Sequence, residues 1–187
     1  MIKGKGGREM EEYNDVYDEN RVRTGRVHLR GTPWKPGEYG LVVCVWVYDG
    51  EGSFLLTRRA REKSYAGIWE NSGGAARAGE ESLQAVVREL WEETGILAEQ
   101  EQFEKINTGR DDIAYYDFYC LHHPAKLEEI RLLPGETDAV QWADYEKIHR
   151  MIRSGEICDV IGKQFLQDEK ALRLRNMSKL SRETLEG

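Results

Sequence analysis

Cysteine is scarce in this chain, and its spacing excludes two structural roles. The three cysteines, Cys44, Cys120 and Cys158, are far apart, odd in number and without C-x-x-C spacing. A zinc site built on paired cysteines and a disulfide framework are therefore not expected. Free thiols fit a reducing compartment, and we expect a cytoplasmic protein.

Long hydrophobic runs are also missing. No stretch approaches the roughly 20 apolar residues that a membrane-spanning helix needs. The first residues, MIKGKGGREMEEYND, contain no apolar segment of the kind that a signal peptide requires. We therefore expect no membrane partner. A length of 187 residues suits one soluble domain with modest extensions.

Positive charge is in deficit, because 27 lysines and arginines face 34 aspartates and glutamates, for a formal net charge of -7. An acidic chain is repelled by the phosphate backbone, so a nucleic-acid polymer is not an expected partner. A local cationic pocket for a small phosphorylated ligand remains compatible with this balance.

The residue pattern predicts a mixed fold. Strands are predicted in LVVCVWVYD, SFLLTRR, IAYYDFYCL and DAVQWAD, and a β-hairpin at about residues 10–32. Residues 60–80 are predicted as a loop. Helices are predicted at residues 81–94, in EKIHRMIRSG and from about residue 162 onward. This mixture favours an α+β class or an α/β sandwich.

The clearest chemical signal is a group of three glutamates on the helix predicted at residues 81–94. The apolar face of that helix contains Leu83, Val86, Val87, Leu90 and Thr94. Glu89, Glu92 and Glu93 stand at i, i+3 and i+4, within an arc of about 100° that borders this face. Mutual repulsion at these spacings destabilises an isolated helix by about a few tenths of a kcal/mol per pair.

Two interpretations of this acidic cluster follow. It is either a solvated helix face or a site for a hard divalent cation such as Mg²⁺ or Mn²⁺, which prefers carboxylate oxygen and works alongside substrate phosphates. Arg88 can orient a neighbouring carboxylate. The preceding loop, SGGAARAGE, is glycine-rich, as expected where a backbone approaches metal or phosphate. Both features favour the metal site.

Gly74, Glu80 and the run RELWEETGI from Arg88 to Ile96 resemble the signature box of the Nudix hydrolase family, with every fixed position filled. The order of flanking segments resembles the family from about residue 38 to 155. This resemblance implies an α/β/α sandwich around a mixed sheet. It also implies Mg²⁺-dependent hydrolysis of a diphosphate bond in a small substrate, a nucleoside diphosphate linked to another moiety X.

The resemblance also implies roles for single residues. Glu89, Glu92 and Glu93 would bind Mg²⁺, with Mn²⁺ as a possible substitute, and the carbonyl of Gly74 would be a further ligand. The box also implies that Glu80 assists at the metal site and that Arg88 holds Glu89 in place. Family members are often dimers, and a hairpin exposes strand edges, so we expect a homodimer.

Four residues outside the box are weaker candidates. Arg58 and Arg59 end a predicted strand, where they either bind substrate phosphate or are solvated. Glu136 precedes a predicted strand and is either a further metal ligand or general base, as late loops often supply in the family, or a turn residue. Trp69 either stacks on a nucleotide base or packs in the core, the commoner role of an aromatic.

Other functions on the same fold stay open. The segment FLLTRRAREKSYAGIWENS resembles isopentenyl-diphosphate isomerases. Those enzymes carry a cysteine directly before the box glycine and a histidine ligand near the start of the first core strand, where this chain has Gly73 and Gly40. A non-catalytic nucleotide sensor would be free to lose box glutamates, yet all are present. The absence of a basic stripe argues against messenger-RNA decapping.

The expected organisation has three parts. Residues 1–9 are predicted to be disordered, residues 10–165 to form a single Nudix domain that includes the hairpin, and residues 166–187 to form a charged C-terminal helix and tail. Gly95 is predicted to end the box helix as its C-cap.

Overall fold

A computed structural model describes residues 11–177, so the predicted disorder of residues 1–9 and the end of the predicted tail lie outside it. The strands are β1 (Tyr13–Tyr17), β2 (Arg23–Leu29), β3 (Gly40–Tyr48), β4 (Ser53–Arg59), β5 (Trp69–Glu70), β6 (Ser72–Ala75), β7 (Glu104–Arg110), β8 (Ala114–His122) and β9 (Thr137–Asp144). The helices are α1 (Ser82–Thr94), α2 (Tyr145–Ser154) and α3 (Asp159–Arg175), with short 3₁₀ turns at Gln100–Gln102 and Leu127–Glu129.

The larger sheet has seven strands and forks near its centre. β3 and β8 run parallel along their whole length, and β7 extends this half antiparallel to β8. β4 meets β3 at their shared turn, where Tyr48 lies opposite Phe54, and then pairs with β9 and β5. Within the fork β6 pairs with β3, and Gly74 lies opposite Val43. The fork therefore fixes the glycine loop against the central strand.

Helices cover both faces of this sheet. One core cluster joins α1 to alternate residues of β3 and includes Val43, Val45, Val47, Val86 and Leu90. The other joins the opposite face to α2 and α3 and includes Trp46, Phe54, Ile148, Phe165 and Leu172. Neighbouring residues of a strand point to opposite faces, so β3 contributes to both clusters. The predicted α/β/α sandwich around a mixed sheet is confirmed.

Helix α1 has clear start and stop signals. Glu81 is its N-cap, and a capping box is formed with Gln84. The helix ends at Gly95, whose φ of 71° is the left-handed conformation that glycine adopts without strain. Both the helix and its C-cap are therefore as predicted. The helix directs one side into the first core cluster and leaves the glutamates at the edge of that cluster.

The predicted N-terminal hairpin forms a separate two-stranded sheet of β1 and β2. It is joined to the core by Asp117 of β8, which is fully buried. Oδ2 of Asp117 accepts hydrogen bonds from Arg21 in the hairpin turn at 2.6 Å, from Lys105 at 2.8 Å and from Ser82 at 2.5 Å. Nδ2 of Asn14 also donates to the carbonyl oxygen of Ala76, at 2.7 Å. The hairpin is thus attached beside the glycine loop.

Three features differ from expectation. The loop predicted at residues 60–80 is wrong in part, because β5 and β6 lie inside it, and β7 was not predicted. The predicted boundary between residues 165 and 166 falls inside α3, whose Leu172 is fully buried. The first part of the predicted tail is therefore packed against the core. Among residues 11–177, no helix is both long and apolar enough to cross a membrane.

Candidate active site

Arg88 lies at the centre of the box residues. Its Nε donates to Glu80 at 2.7 Å, and its Nη1 donates to Glu89 at 2.7 Å and to Glu92 at 3.0 Å. Its Nη2 also donates to the carbonyl oxygen of Ala75, at 3.2 Å. One guanidinium therefore connects the glycine loop to the acidic face of α1 and restricts three carboxylates at once.

The backbone at Gly74 touches the carboxylate of Glu89. A Cβ added to Gly74 would lie 2.5 Å from Cδ of Glu89, well inside van der Waals contact. The absence of a side chain lets this carboxylate lie directly on strand β6. The structure thus brings together the predicted backbone ligand and one predicted carboxylate ligand.

Two further carboxylates lie deeper in the same region. Glu93 is 7 % exposed, and the backbone N–H of Gly73 donates to its Oε2 at 3.3 Å. Burial raises the pKa of Glu93 well above its usual range, and the negative charges of Glu70 and Glu89 raise it further. Burial also raises the pKa of Glu89 and of Glu70, outweighing the ion pairs with Arg88 and Arg59 respectively. These groups form a partly buried pocket lined by acidic side chains.

This pocket fits a divalent cation by its chemistry. Among residues 11–177, no three acidic, histidine or cysteine side chains already stand in a metal-binding arrangement. Arg88 instead holds Glu89 and Glu92. The donors are nevertheless hard oxygen atoms, and Gly74 leaves a cradle beside them that a Cβ would fill. Raised carboxyl pKa values mean that the ionised forms are disfavoured here without a cation, and a bound cation would favour them.

The predicted phosphate-binding arginines lie in different surroundings. Nη1 of Arg59 pairs with Glu70 at 2.7 Å, which places this arginine at the acidic pocket. Nε of Arg58 pairs with Asp138 at 2.6 Å, and its guanidinium lies over the ring of Trp69 at 5.6 Å from the centroid. Trp69 also packs against the second core cluster, away from α1. The structure thus brings Arg59 to the site and pairs Arg58 with Trp69.

Glu136 lies in the loop before β9, as predicted. Its carboxylate pairs with Lys63, and its backbone carbonyl accepts a hydrogen bond from Ala60 at 3.0 Å. The charge of Lys63 also lowers the pKa of Glu70 against the larger effect of burial. Glu136 is therefore connected to the acidic pocket through Lys63.

Sequence reasoning missed several charged residues around this pocket. Glu70 lies two residues before the glycine loop, and its position four residues before Gly74 was the available signal. Arg77 lies inside the box spacing, where the motif leaves the residue free. Its Nη2 contacts Glu92 at 3.3 Å and Glu12 at 3.2 Å. No local pattern predicts a contact between the hairpin and the box, because the hairpin docks through tertiary packing.

Comparison with known proteins decides the family. The NUDIX domain model matches residues 38–157. This chain belongs to the Nudix family. An uncharacterised Nudix hydrolase of Listeria monocytogenes, lmo0368, is 30 % identical over 149 residues, covering 79 % of this chain and 88 % of that protein. The protein is accordingly a hydrolase that acts on acid anhydrides in phosphorus-containing compounds.

Solved structures share the fold of this Nudix hydrolase. DR0079 from Deinococcus radiodurans aligns with a TM-score of 0.66 and 21 % identity over 79 % of this chain and 92 % of its own. A bifunctional NMN adenylyltransferase/ADP ribose pyrophosphatase from Francisella tularensis, complexed with AMP and a manganese ion, aligns with a TM-score of 0.59 and 19 % identity over 75 % of this chain and 43 % of its own.

The second family predicted from sequence is also found among the relatives of this Nudix hydrolase. The isopentenyl-diphosphate Δ-isomerase of Halorhodospira halophila is 31 % identical over 144 residues, covering 71 % of this chain and 79 % of that enzyme.

Gly73 of this Nudix hydrolase is enclosed by backbone. An added Cβ would lie 2.2 Å from the carbonyl oxygen of Val43 and 2.9 Å from Cα of Cys44. Gly73→Ala is therefore expected to lower the free energy of unfolding by about 3 kcal/mol, as overpacking of a rigid site does. Activity should fall with it, because the displaced strand carries Gly74. Urea denaturation and turnover measure both effects.

Gly109→Ala is the matched control for this substitution. Gly109 also lies in a strand, but an added Cβ would meet the side chain of Phe118 at 3.5 Å, an ordinary contact. The free energy of unfolding of this variant should differ from the wild-type value by less than about 1 kcal/mol. Equal stability of the two variants would contradict the close packing of β6 on β3.

Proposed function

We propose that this Nudix hydrolase cleaves the diphosphate bond of a nucleoside diphosphate linked to another moiety X, with Mg²⁺ as its metal and Mn²⁺ as a substitute. The observation that carries this proposal is the contact of Glu89 with both Arg88 and the bare backbone of Gly74. That arrangement supports a cation site at the junction of the glycine loop and α1. Enzymes of the family generally use divalent metals.

Glu89, Glu92 and Glu93 would hold the cation with the Gly74 carbonyl. A divalent cation there supplies charge that stabilises the phosphoryl group and lowers the pKa of a bound water. The burial of Glu93 restricts bulk water on the inner side of the site. Arg88 connects two of the carboxylates to the loop, so they start close to the required positions.

Glu80 has a supporting role in this proposal. Burial raises its pKa, but hydrogen bonds from Arg88 and from the backbone N–H of Arg77 outweigh that effect and hold it below the usual value. Glu80 therefore stays ionised at neutral pH. An ionised carboxylate beside Arg88 is suited to order water at the edge of the cluster.

Substrate contacts outside the box extend this proposal. Arg59 is the better-placed phosphate ligand, because its partner Glu70 belongs to the acidic pocket. Arg58 and Trp69 would contact the X moiety or the base together, since the guanidinium of Arg58 lies over the ring of Trp69. Glu136 would act through Lys63. The homodimer and the cytoplasmic location stay predictions of the sequence.

A panel of nucleotide sugars, dinucleotides, ADP-ribose and oxidised nucleotides tests this function. With Mg²⁺ we expect one class to yield two phosphorylated products, separated by chromatography. EDTA should abolish turnover, because the carboxylate cluster alone has no electrophile. Adding Mg²⁺ or Mn²⁺ should restore it. Ligand binding without turnover in either metal would support the sensor instead.

The isomerase alternative is tested in the same series with isopentenyl diphosphate. We expect no dimethylallyl diphosphate, since both isomerase positions are closed by packing. A side chain at Gly73 would meet the backbone of Val43, and a Cβ at Gly40 would lie 2.9 Å from Cζ2 of Trp34. Robust conversion of isopentenyl diphosphate would overturn the proposed function.

A further inference from the structure

A groove separates the N-terminal hairpin from the glycine loop of the box. Its volume is about 940 Å³ and it is open to solvent. The lining residues are Glu11, Glu12, Tyr13, Leu29, Arg30, Arg77 and Ala78. The two arginines come from different parts of the chain, since Arg30 follows β2 and Arg77 follows β6. The groove therefore exists only because the hairpin docks beside the box.

Glu12 bridges the two arginines across this groove. Its Oε2 pairs with Nη1 of Arg30, and its Oε1 lies 3.2 Å from Nη2 of Arg77. A guanidinium presents donors in a fork that suits carboxylate and phosphate oxygens alike. Two guanidiniums sharing one anion are thus an oxyanion site, which Glu12 fills in this structure.

This oxyanion site adjoins the box. The same Nη2 of Arg77 that contacts Glu12 lies 3.3 Å from Oε1 of Glu92. An anion held between Arg30 and Arg77 would therefore be next to the proposed cation site.

The arginine inside the box is less available to a ligand. Arg88 is only 15 % exposed and is held by Glu80, Glu89 and Glu92. By contrast, the side chains of Arg30 and Arg77 are 52 % and 42 % exposed. The side chain of Glu12, which pairs with both arginines, is 34 % exposed. A dissolved phosphate can therefore reach this pair of arginines beside the box.

We propose that Arg30 and Arg77 bind a phosphate of the substrate, and that Glu12 occupies their site in the free protein as a built-in competitor. The proposal rests on the proposed function, because it assigns these residues to a diphosphate substrate. It makes the hairpin part of the substrate site. Substrate binding then exchanges one anion for another, and no unpaired arginine is left in either state.

Binding of ADP in EDTA tests the oxyanion site without turnover or metal. Titration calorimetry should show ADP binding about tenfold tighter to Glu12→Gln, because the competing charge is lost. Arg30→Gln and Arg77→Gln should each weaken it about tenfold, as loss of a charge-assisted hydrogen bond does. Thermal melts verify folding, and Glu12→Ala provides a second variant if the amide destabilises the hairpin.

Two neighbours provide controls with the same change of charge. Glu11→Gln alters another carboxylate of the groove, but Glu11 accepts a hydrogen bond from the hydroxyl of Tyr13, at 2.7 Å. Arg26→Gln alters another hairpin arginine, whose partner is Glu38. Both substitutions should leave the dissociation constant for ADP within about twofold of the wild-type value. Equal effects in controls and test variants would mean that net charge alone acts, and would overturn the proposal.

Steady-state kinetics on the best substrate of the panel separates positioning from chemistry. Glu12→Gln should lower KM with kcat within about twofold, and Arg30→Gln should raise KM. The proposal fails if neither ADP binding nor KM responds, even with normal turnover. If no compound of the panel is hydrolysed but ADP binding in EDTA responds as expected, the oxyanion site stands and the proposed substrate class fails.

Discussion

Glu92→Gln is expected to reduce kcat about a thousandfold, the upper range for loss of one preorganised electrostatic contact in an active site. The side chain of Glu92 stands between Arg88 at 3.0 Å and Arg77 at 3.3 Å. It is partly exposed, so the isosteric amide is compatible with the fold. The substitution removes a charged carboxylate ligand from the proposed cation site. A neutral amide is a poor replacement for that ligand.

The measurement is kcat with saturating Mg²⁺, together with a thermal melt of the same sample. Glu101→Gln is the control, because Glu101 is exposed in a 3₁₀ turn outside the box. This substitution changes the net charge by the same amount as Glu92→Gln. It should retain turnover. Near-normal activity of Glu92→Gln with a normal melt would show that the assigned site is wrong.

Asp117→Asn is expected to lower the free energy of unfolding by about 3 kcal/mol, near the lower end for breaking a buried ion pair. Asp117 is fully buried and accepts hydrogen bonds from Arg21, Lys105 and Ser82. The two cations remain partly exposed, which limits the loss. Because Arg21 belongs to the hairpin turn, the substitution should also loosen the hairpin. Urea denaturation at pH 7 measures the change.

The pH dependence of this effect has a definite sign. Burial raises the pKa of Asp117, but hydrogen bonds from Arg21, Lys105 and Ser82 outweigh burial, so the folded-state pKa lies below its usual value. A lowered pKa stabilises the fold above the unfolded-state value of about 3.9. That contribution is lost as the pH falls through the folded-state pKa.

Stability curves of the wild type and Asp117→Asn should therefore run parallel at neutral pH and converge below about pH 4. Asp112→Asn is the control, because Asp112 is exposed beside the same strand. A constant difference down to pH 2 would show that the ionised carboxylate is not what stabilises the hairpin.

Elements with strong local patterns were predictable from the sequence. α1 has apolar residues at helical spacing and a glycine C-cap, and β3, β4, β8 and β9 are rich in β-branched or aromatic residues. β6 was missed because SGGA has low strand propensity, although its backbone pairs with β3. β7 was missed because EKINTGR is mostly polar and exposed.

The residues of the site also fall into two groups, those that a local pattern predicts and those that only tertiary packing brings in. The spacing of Glu89, Glu92 and Glu93 defines a helical face, and the structure places Arg88 among them as the motif implies. Contacts across the groove could not be predicted, because Glu12 and Arg77 meet only after the hairpin has docked. Glu70 lies at the pocket by virtue of the pairing of β5 with β4. Such residues are recognised by tertiary position and not by local pattern.

The fork of the sheet has a consequence for biosynthesis. The box is complete at Ile96, but the edges of β3 and β4 are covered only after β8 and β9 have been translated. Pairings between such distant segments form slowly and leave unpaired strands exposed meanwhile. A nascent chain that already contains the complete box therefore still carries open edges at β3 and β4. The ribosome-bound stage before residue 144 is when this protein most needs protection from aggregation.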